Sequence, residues 1–371
     1  MNTAFSDKTA VPLLGTGSKL CYTKERKMVF IDYKSRVCQR AEEAVSLSLL
    51  FLYEEVMMKQ SRILEGVEQA RFVPPYLLSL LLAAVFILGG QKLAVLALEP
   101  ISALLSLLLG WLGQGGFFEI FFNFALPFLL FGFIFMALAL FAWVRFAEGR
   151  PIGSLGFVKK GWLLNLLKGF GLGFVFFSLV ALLMLLTGVG HFEWGYLTLE
   201  PLIYILILIP LWIIQGGTEE LVTRAWLLPV AVKKTNLPIG LVTSSLLFAF
   251  LHLGNPGIGF LPILNIALFG FLASLYLLWT DNVWGIVGLH AAWNFTQGNI
   301  YGFSVSGTGI DAAAFNFIPQ SELSFLTGGS FGAEASLYCS LVTLLAIAFL
   351  LWRMKKDGSL ARLLSSPQKQ H

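Results

Sequence analysis

The sequence predicts an all-α polytopic membrane protein with about eight transmembrane helices around a polar intramembrane cavity. Three observations support this fold class: the composition, the alternation of long apolar runs with short polar connections, and the positions of Lys and Arg. Of the 371 residues, 57% are hydrophobic and only 12% are charged, whereas soluble domains contain about 25% charged residues. The chain therefore has too little polar surface to cover itself in water.

Apolar runs of membrane length define the elements. A helix needs about 20 apolar residues to cross the hydrocarbon core. We predict eight such spans, near 75–97, 117–144, 162–188, 200–218, 239–254, 260–280, 284–302 and 336–353. We expect the fourth helix to continue through Arg224 towards Val232. The stretch 92–114 has three interpretations: a bent extension of the first span, an interfacial segment or a separate crossing.

The positive-inside rule supports eight crossings with both termini in the cytoplasm. Positive residues follow the second, fourth and last spans, whereas residues 303–335 and the connection between the third and fourth spans contain no Lys or Arg. These positive residues are Arg145, Arg150, Lys159, Lys160, Lys233, Lys234, Arg353, Lys355 and Lys356. One further span would move the connections after it to the opposite side of the membrane, and their positive residues would then no longer fit the positive-inside rule.

The composition also divides the chain and limits its partners. Residues 1–72 are mixed and charge-rich, which predicts a cytosolic extension before a transmembrane domain at 73–356 and a cytosolic tail at 357–371. The expected partners are membrane lipids; the small net charge of +4 gives no indication of a nucleic acid. The three cysteines form no CxxC pair, so neither a disulfide framework nor a thiolate metal site is indicated.

A group of charges follows the most apolar part of the fourth span, in "GGTEELVTRAW". A charge at bilayer depth costs about 2.5–3.5 kcal/mol by insertion scales. Glu220 and Arg224 are four residues apart and can form an ion pair along one helix. Glu219 lies about 100° further around the helix. It therefore stays available for another role.

Two histidines lie inside predicted spans. "FAFLH" places Phe248 one helical turn before His252, and "HAAWN" places His290 and Asn294 on one helix face. Taken singly, a structural ion pair or a hydrogen-bonded histidine explains each feature. Together, a carboxylate, two imidazoles and a carboxamide predict hydrolysis, in which Glu219 activates water. An imidazole and the amide would stabilise the oxyanion.

Other protease chemistries do not match the sequence. It contains no HExxH motif, no GxSG within a span and no pair of intramembrane aspartates of the YD…GxGD type. A zinc site formed by Glu219, His252 and His290 with an open water position stays open as an alternative at this point.

The motifs EExxxR, FxxxH and HxxxN, in this order, resemble the CPBP family of CAAX-type prenyl proteases and bacteriocin-processing or immunity proteins, often labelled Abi. The upstream "GRPIGSLGF" is similar to a segment that often precedes the core in bacterial members. The resemblance covers about residues 145–302. It implies an eight-helix intramembrane endopeptidase of glutamate type in the bacterial inner membrane.

The resemblance also implies a role for each motif residue. Glu219 would be the general base, assisted by His252, and His290 with Asn294 would form the oxyanion hole. The residues that would shape the site are Glu220, Arg224 and Phe248. No essential metal would be needed, and the substrate would be a membrane-associated or prenylated protein or peptide.

Two other functions fit parts of the sequence. A non-catalytic membrane scaffold or immunity protein could use the same fold to bind partners. A transporter could also use ionisable residues near the midplane. For the peptidase, we expect the cavity to open on the side of Lys233 and Lys234, where the EExxxR helix leaves the membrane.

Overall fold

A computed structural model describes residues 18–22, 28–32, 61–111, 125–195 and 198–365. The chain divides into two compact units, Met1–Lys59 and Gln60–His371. Within the first unit, strands β1 (Ser18–Tyr22) and β2 (Met28–Asp32) form an antiparallel pair. The second unit contains the membrane helices. Most of the predicted cytosolic extension and the end of the predicted tail lie outside the described residues.

The second unit is almost entirely helical, which confirms the predicted fold class. Its helices are α1 (Arg62–Gly66), α2 (Tyr76–Ala84), α3 (Gly90–Trp111), α4 (Ala125–Ala142), α5 (Trp162–Leu186), α6 (Leu199–Glu220), α7 (Leu228–Lys234), α8 (Leu237–Phe250), α9 (Phe260–Thr280), α10 (Val283–Phe295), α11 (Ser324–Thr327), α12 (Leu337–Lys356) and α13 (Ser359–Ser365). Wider π-helical turns continue α2, α4, α6 and α10, at Val85–Gly89, Trp143–Ala147, Leu221–Leu227 and Thr296–Ile300. Strands β3 (Gly190–Trp194) and β4 (Phe315–Pro319) pair antiparallel.

Six helical stretches of the described residues are long and apolar enough to cross a membrane. They are Tyr76–Pro100, Leu126–Ala147, Trp162–Leu186, Leu199–Lys234, Phe260–Thr280 and Leu337–Lys356. The other two predicted spans coincide with α8, which is apolar but shorter, and with α10. Every predicted span thus contains a helix, although 117–124 lies outside the described residues. The count of eight crossings stays a prediction.

The stretch 92–114 continues the first membrane helix as far as the structure describes it. Helices α2 and α3 follow each other through the π-helical turn at Val85–Gly89, and α3 passes Pro100 before its end at Trp111. This supports the first of the three interpretations, an extension of the first span.

The two ends of the bundle differ in their charged residues. At one end, β3 and β4 join the two connections that contain no Lys or Arg. At the other end, Lys233 donates to Glu68 over 2.8 Å. The carboxylate of Asp281 accepts from the Ser61 hydroxyl at 2.6 Å and from two backbone N–H groups of α1. The pairing of β3 with β4 places both Lys- and Arg-free connections on one side, as the predicted topology requires.

The start of the second unit lies before the predicted domain boundary at residue 73. Ile63 and Val67 are buried in the same hydrophobic core as the membrane helices. Residues 61–72 therefore pack as part of this unit. Their predicted cytosolic location stays a prediction.

Close helix packing fixes the position of α10. A Cβ on Gly169 would collide with the carbonyl oxygen of Gly285, and a Cβ on Gly288 with that of Leu166. Small residues allow membrane helices to approach this closely. Helix α10 also packs on α6. It therefore stands between α5 and the helix that contains Glu219.

Helix α8 ends earlier than the sequence predicts. The predicted span reaches residue 254, whereas α8 ends at Phe250 and His252 lies in the turn that follows. The reason is the sequence "GNPG" just beyond: Pro256 disfavours a helical conformation of the preceding residue. Gly257, with φ +75°, adopts a left-handed conformation. The placement of His252 inside a helical span is thus wrong by a few residues.

Candidate functional site

A cavity of about 210 Å³ lies inside the helix bundle. All four residues predicted to be catalytic line this cavity: Glu219, His252, His290 and Asn294. Phe248 lines it as well, whereas Glu220 and Arg224 lie behind the wall. The structure thus brings together three motifs that are separated by up to about 70 residues in the chain.

Glu220 forms hydrogen bonds to both Arg224 and His290. Its Oε1 accepts from Arg224 Nη1 at 3.1 Å and from His290 Nδ1 at 2.8 Å, and all three residues are buried. The predicted ion pair between Glu220 and Arg224 is therefore present. Because Glu220 accepts this bond, we infer that Nδ1 of His290 carries a hydrogen. In the neutral ring, Nε2 would then carry none.

This geometry sets a condition for the predicted oxyanion role of His290. Its Nε2 lies 3.6 Å from Glu219 Oε2. Nε2 can donate to an oxyanion only when the ring is an imidazolium, because Nδ1 already holds the single hydrogen of the neutral form.

Gln215 links the general-base candidate to Asn294. Asn294 Nδ2 donates to Gln215 Oε1 at 2.8 Å, and the Gln215 side chain also forms a hydrogen bond to Glu219 one helical turn away. One N–H of the Asn294 amide is thus committed, and the second stays available for an oxyanion. Gln215 holds the carboxylate and the amide in a fixed relation.

The turn after α8 fixes the tautomer of His252. Its Nδ1 lies 2.8 Å from the backbone oxygen of Phe248, an oxygen that can only accept. Nδ1 therefore carries the hydrogen, and Nε2 of the neutral ring has a free lone pair. The Phe248 ring meets the His252 ring edge to face, with 4.8 Å between the centroids. This leaves His252 able to accept a proton through Nε2.

Phe248 also contacts the buried arginine. The Arg224 guanidinium lies 4.0 Å from the centroid of the Phe248 ring. Arg224 itself lies in the π-helical turn Leu221–Leu227, directly after Glu220. Such turns occur frequently at functional sites. The predicted site-shaping residues therefore contact each other, and Phe248 also lines the cavity.

Sequence reasoning missed two cavity residues with functional side chains. Gln215 is an isolated polar residue at the end of "LIYILILIPLWIIQ", four residues before Glu219, and this signal could have been used. Glu334 lies in the Lys- and Arg-free segment 303–335, outside any of the motifs, and lines the cavity together with Ser306. No local pattern indicates its place.

The donor set does not form a metal site. Within the described ranges, no group of three or more His, Cys, Asp or Glu side chains is arranged to hold a metal ion. The zinc alternative required Glu219, His252 and His290 to converge in this way. We therefore derive no step through a metal.

The cavity lies towards the end of the bundle where β3 and β4 pair. Its lining includes Val305, Ser306, Thr308 and Glu334, and no residue of α7. The expected opening on the side of Lys233 and Lys234 stays a prediction. It used the exit direction of the EExxxR helix, and the 303–335 segment also contributes to the cavity wall.

Fold and site together define an integral membrane protein whose helix bundle encloses a cavity of carboxylate, imidazole and amide groups. The family model described as Rce1-like, type II CAAX prenyl endopeptidase Rce1-like, matches residues 200–296. This match confirms the resemblance that the three motifs indicated and contains all of them. No curated protein and no solved structure matches the chain.

Proposed function

We propose that the protein is a CAAX-type intramembrane endopeptidase that hydrolyses peptide bonds of membrane-associated or lipidated protein substrates. One observation carries this proposal: Glu219 lines the cavity with His252, His290 and Asn294, while Arg224 is paired with Glu220 instead. The family match over residues 200–296 supports peptide hydrolysis. The cavity groups then have the following roles.

Glu219 accepts a proton from a water molecule, and the water oxygen forms a bond to the scissile carbonyl carbon. The lone pair of His252 Nε2 shares this proton. The carbonyl oxygen becomes an oxyanion, which accepts from the free N–H of Asn294 and from the His290 imidazolium. The proton then passes from Glu219 to the amide nitrogen as the oxyanion re-forms the carbonyl and the C–N bond breaks, which leaves a carboxylic acid and an amine. The acid proton is transferred to the amine, so the products are a carboxylate and an ammonium group.

The test is peptidase activity of the purified protein in detergent. A quenched prenylated peptide, the same peptide without the lipid and a panel of membrane peptides would be compared. We expect Glu219→Gln to lower kcat by about 10²–10⁴-fold, the range of a general base, and His252→Ala to lower it as well. Glu193→Gln, a change of an exposed glutamate on β3, is the matched control and should retain activity.

Each condition has a decisive result. Cleavage that survives a strong zinc chelator supports the metal-free glutamate mechanism, whereas loss on chelation and recovery with zinc would contradict it. Undiminished cleavage by Glu219→Gln would overturn the proposal. Preference for the prenylated peptide over its unlipidated form would identify lipidated proteins as the substrate class.

A further inference from the structure

Glu334 is a rigidly held carboxylate inside the cavity wall. It is 8% exposed and lies in a single helical turn just before α12. Its Oε1 accepts from the Ser306 hydroxyl at 2.7 Å and from the Ser306 backbone N–H. Its backbone oxygen accepts from Asn265 Nδ2 of α9 at 2.8 Å. The carboxylate and the backbone of Glu334 are therefore both held by hydrogen bonds.

The second carboxylate oxygen is left for a ligand. Within the part of the chain that the structure describes, Glu334 Oε2 has no hydrogen-bond partner, although the residue is more than nine-tenths buried and lines the cavity. This oxygen is not among the described side-chain atoms that are both fully buried and unpaired, so it is accessible from the cavity. A hydrogen-bond donor on a bound molecule would satisfy it.

The charges of the cavity favour a cationic donor. The lining contains two carboxylates, Glu219 and Glu334, and no Lys or Arg among the described residues. The rings of His252 and His290 are the other titratable groups of the cavity that act on Glu334 electrostatically. The 303–335 segment, which covers this end of the cavity, has no Lys or Arg in its sequence.

The protonation of the Glu334 carboxyl also depends on nearby positive charge. Burial raises the pKa of the Glu334 carboxyl, while the Ser306 hydroxyl and the His252 ring oppose this effect. An ammonium or guanidinium group close to Oε2 would favour the ionised form further. Such a pair would also form a charge-assisted hydrogen bond, which is stronger than a neutral one.

We propose that Glu334 is a specificity-determining residue that receives the side chain of a lysine or arginine of the substrate, close to the bond that is cut. This inference rests on the proposed peptidase function and extends it to cationic peptide segments. The residue lies outside the matched stretch 200–296. The preference is therefore a property of this chain's own 303–335 segment.

The test uses pairs of quenched peptides that differ at one position, with lysine in one and norleucine in the other. Norleucine keeps an apolar chain and removes the charge. Each position near the cleavage site is varied in turn. We expect kcat/KM to favour the lysine peptide at one position by about tenfold to hundredfold, the effect of one hydrogen bond to a charged group.

Glu334→Gln should reduce this ratio to near one. The glutamine amide oxygen can still accept from Ser306, so the fold should be retained. Glu322→Gln is the matched control, because Glu322 is an exposed glutamate of the same segment outside the cavity lining. It should leave the ratio unchanged.

Binding provides a second measurement that needs no catalysis. Fluorescence anisotropy of labelled lysine and norleucine peptides would be measured with Glu219→Gln, and with Glu219→Gln combined with Glu334→Gln. We expect the first variant to bind the lysine peptide more tightly and the second to bind both equally. This result separates a failure of the specificity proposal from a failure of the peptidase proposal.

Three results would overturn the inference. They are equal kcat/KM values for both wild-type peptides at every position, an equal loss for both peptides in Glu334→Gln, and equal binding of both peptides by Glu219→Gln. An equal loss would show that Glu334 only supports the loop or the His252 ring.

Discussion

Two buried glutamate–arginine pairs lie among the described residues of the second unit, and their surroundings differ. The first pair, Glu148 and Arg150, belongs to what we call the Glu148 cluster, in which both carboxylate oxygens have donors. Trp143 and Trp226 donate to Oε1 at 2.9 and 2.6 Å, and Arg150 Nε donates to Oε2 at 2.5 Å.

The second pair, Glu220 and Arg224, forms what we call the Glu220 cluster together with His290 and Thr223. Here Glu220 Oε2 and the Arg224 atoms Nε and Nη2 have no hydrogen-bond partner within the described part of the chain. Both pairs are fully buried. In the Glu148 cluster, one described atom, Arg150 Nη2, lacks a partner, whereas the Glu220 cluster has three such atoms and reaches the cavity through His290.

This difference shows which buried charges stabilise the fold and which can act on a ligand. Buried polar groups in native proteins are nearly all hydrogen-bonded, so exceptions need an explanation. In the Glu220 cluster, the explanation we favour is chemical: the charges hold His290 for catalysis. Trp226 connects the two clusters, because it donates to Glu148 from the same π-helical turn that contains Arg224.

The largest expected effect comes from replacing each pair by apolar residues. Replacing a buried ion pair in this way is often neutral or stabilising. At the Glu220 cluster, Glu220→Leu with Arg224→Met would mainly leave His290 Nδ1 without its partner. We expect a stability change of at most about 1–3 kcal/mol. The loss in kcat should be about 10²–10³-fold, as for an oxyanion donor.

The same replacement at the Glu148 cluster should have the opposite pattern. Glu148→Leu with Arg150→Met leaves the buried indole N–H of Trp226 without an acceptor, at about 1–3 kcal/mol, and also removes the acceptor of the half-buried Trp143. We expect a clearly lower Tm and less than a tenfold change in kcat per folded molecule. Thermal unfolding in detergent and peptidase assays of the same preparations would measure both. If both double variants lost Tm and kcat to the same extent, the two clusters would not differ in their roles.

A smaller effect is expected from the amide that links Glu219 to Asn294. Gln215→Leu removes its hydrogen bonds to both residues. We expect kcat to fall by about tenfold to hundredfold with little change in KM, because a hydrogen bond to a charged group contributes about 1.5–3 kcal/mol. Steady-state kinetics would show this.

Gln297→Leu is the matched control for this change. Gln297 is also buried and donates to the Ser304 backbone oxygen at 2.5 Å, but it does not line the cavity. It should lower stability and leave kcat nearly unchanged. A similar fall in kcat for both variants would mean that Gln215 acts only through the packing of the bundle.

The sequence was sufficient for the helices and for the motif residues, because both depend on local patterns. Apolar runs give the positions of the helices, and the spacing of His290 and Asn294 places both on the cavity side of α10. The ion pair of Glu220 with Arg224 follows from a spacing of four residues.

Contacts between distant segments could not be predicted in the same way. Glu334 reaches the cavity through bonds to Ser306, 28 residues away, and to Asn265, 69 residues away. Its own surroundings, "GGSFGAEAS", have no hydrophobic period. The π-helical turn after Glu220 also has no signal in the sequence, since its residues are compatible with an ordinary α-helix.

The smallest expected effect concerns a residue far from both clusters, and it tests the two ends of the bundle. Glu193 on β3 is exposed and forms only a surface ion pair with His191, at 3.4 Å. In a background without Cys21, Cys38 and Cys339, we expect Glu193→Cys to change stability by less than about 1 kcal/mol. Activity should be unchanged from that background.

The introduced thiol then reports the side of the membrane. By the positive-inside rule, a membrane-impermeant maleimide applied to right-side-out vesicles should label Glu193→Cys and leave Lys234→Cys unlabelled. The reverse pattern would invert the predicted topology. Ser306 and Glu334 belong to the same 303–335 connection as β4, the strand that pairs with β3, so labelling of Glu193→Cys would place the connection that holds these cavity residues on the non-cytoplasmic side.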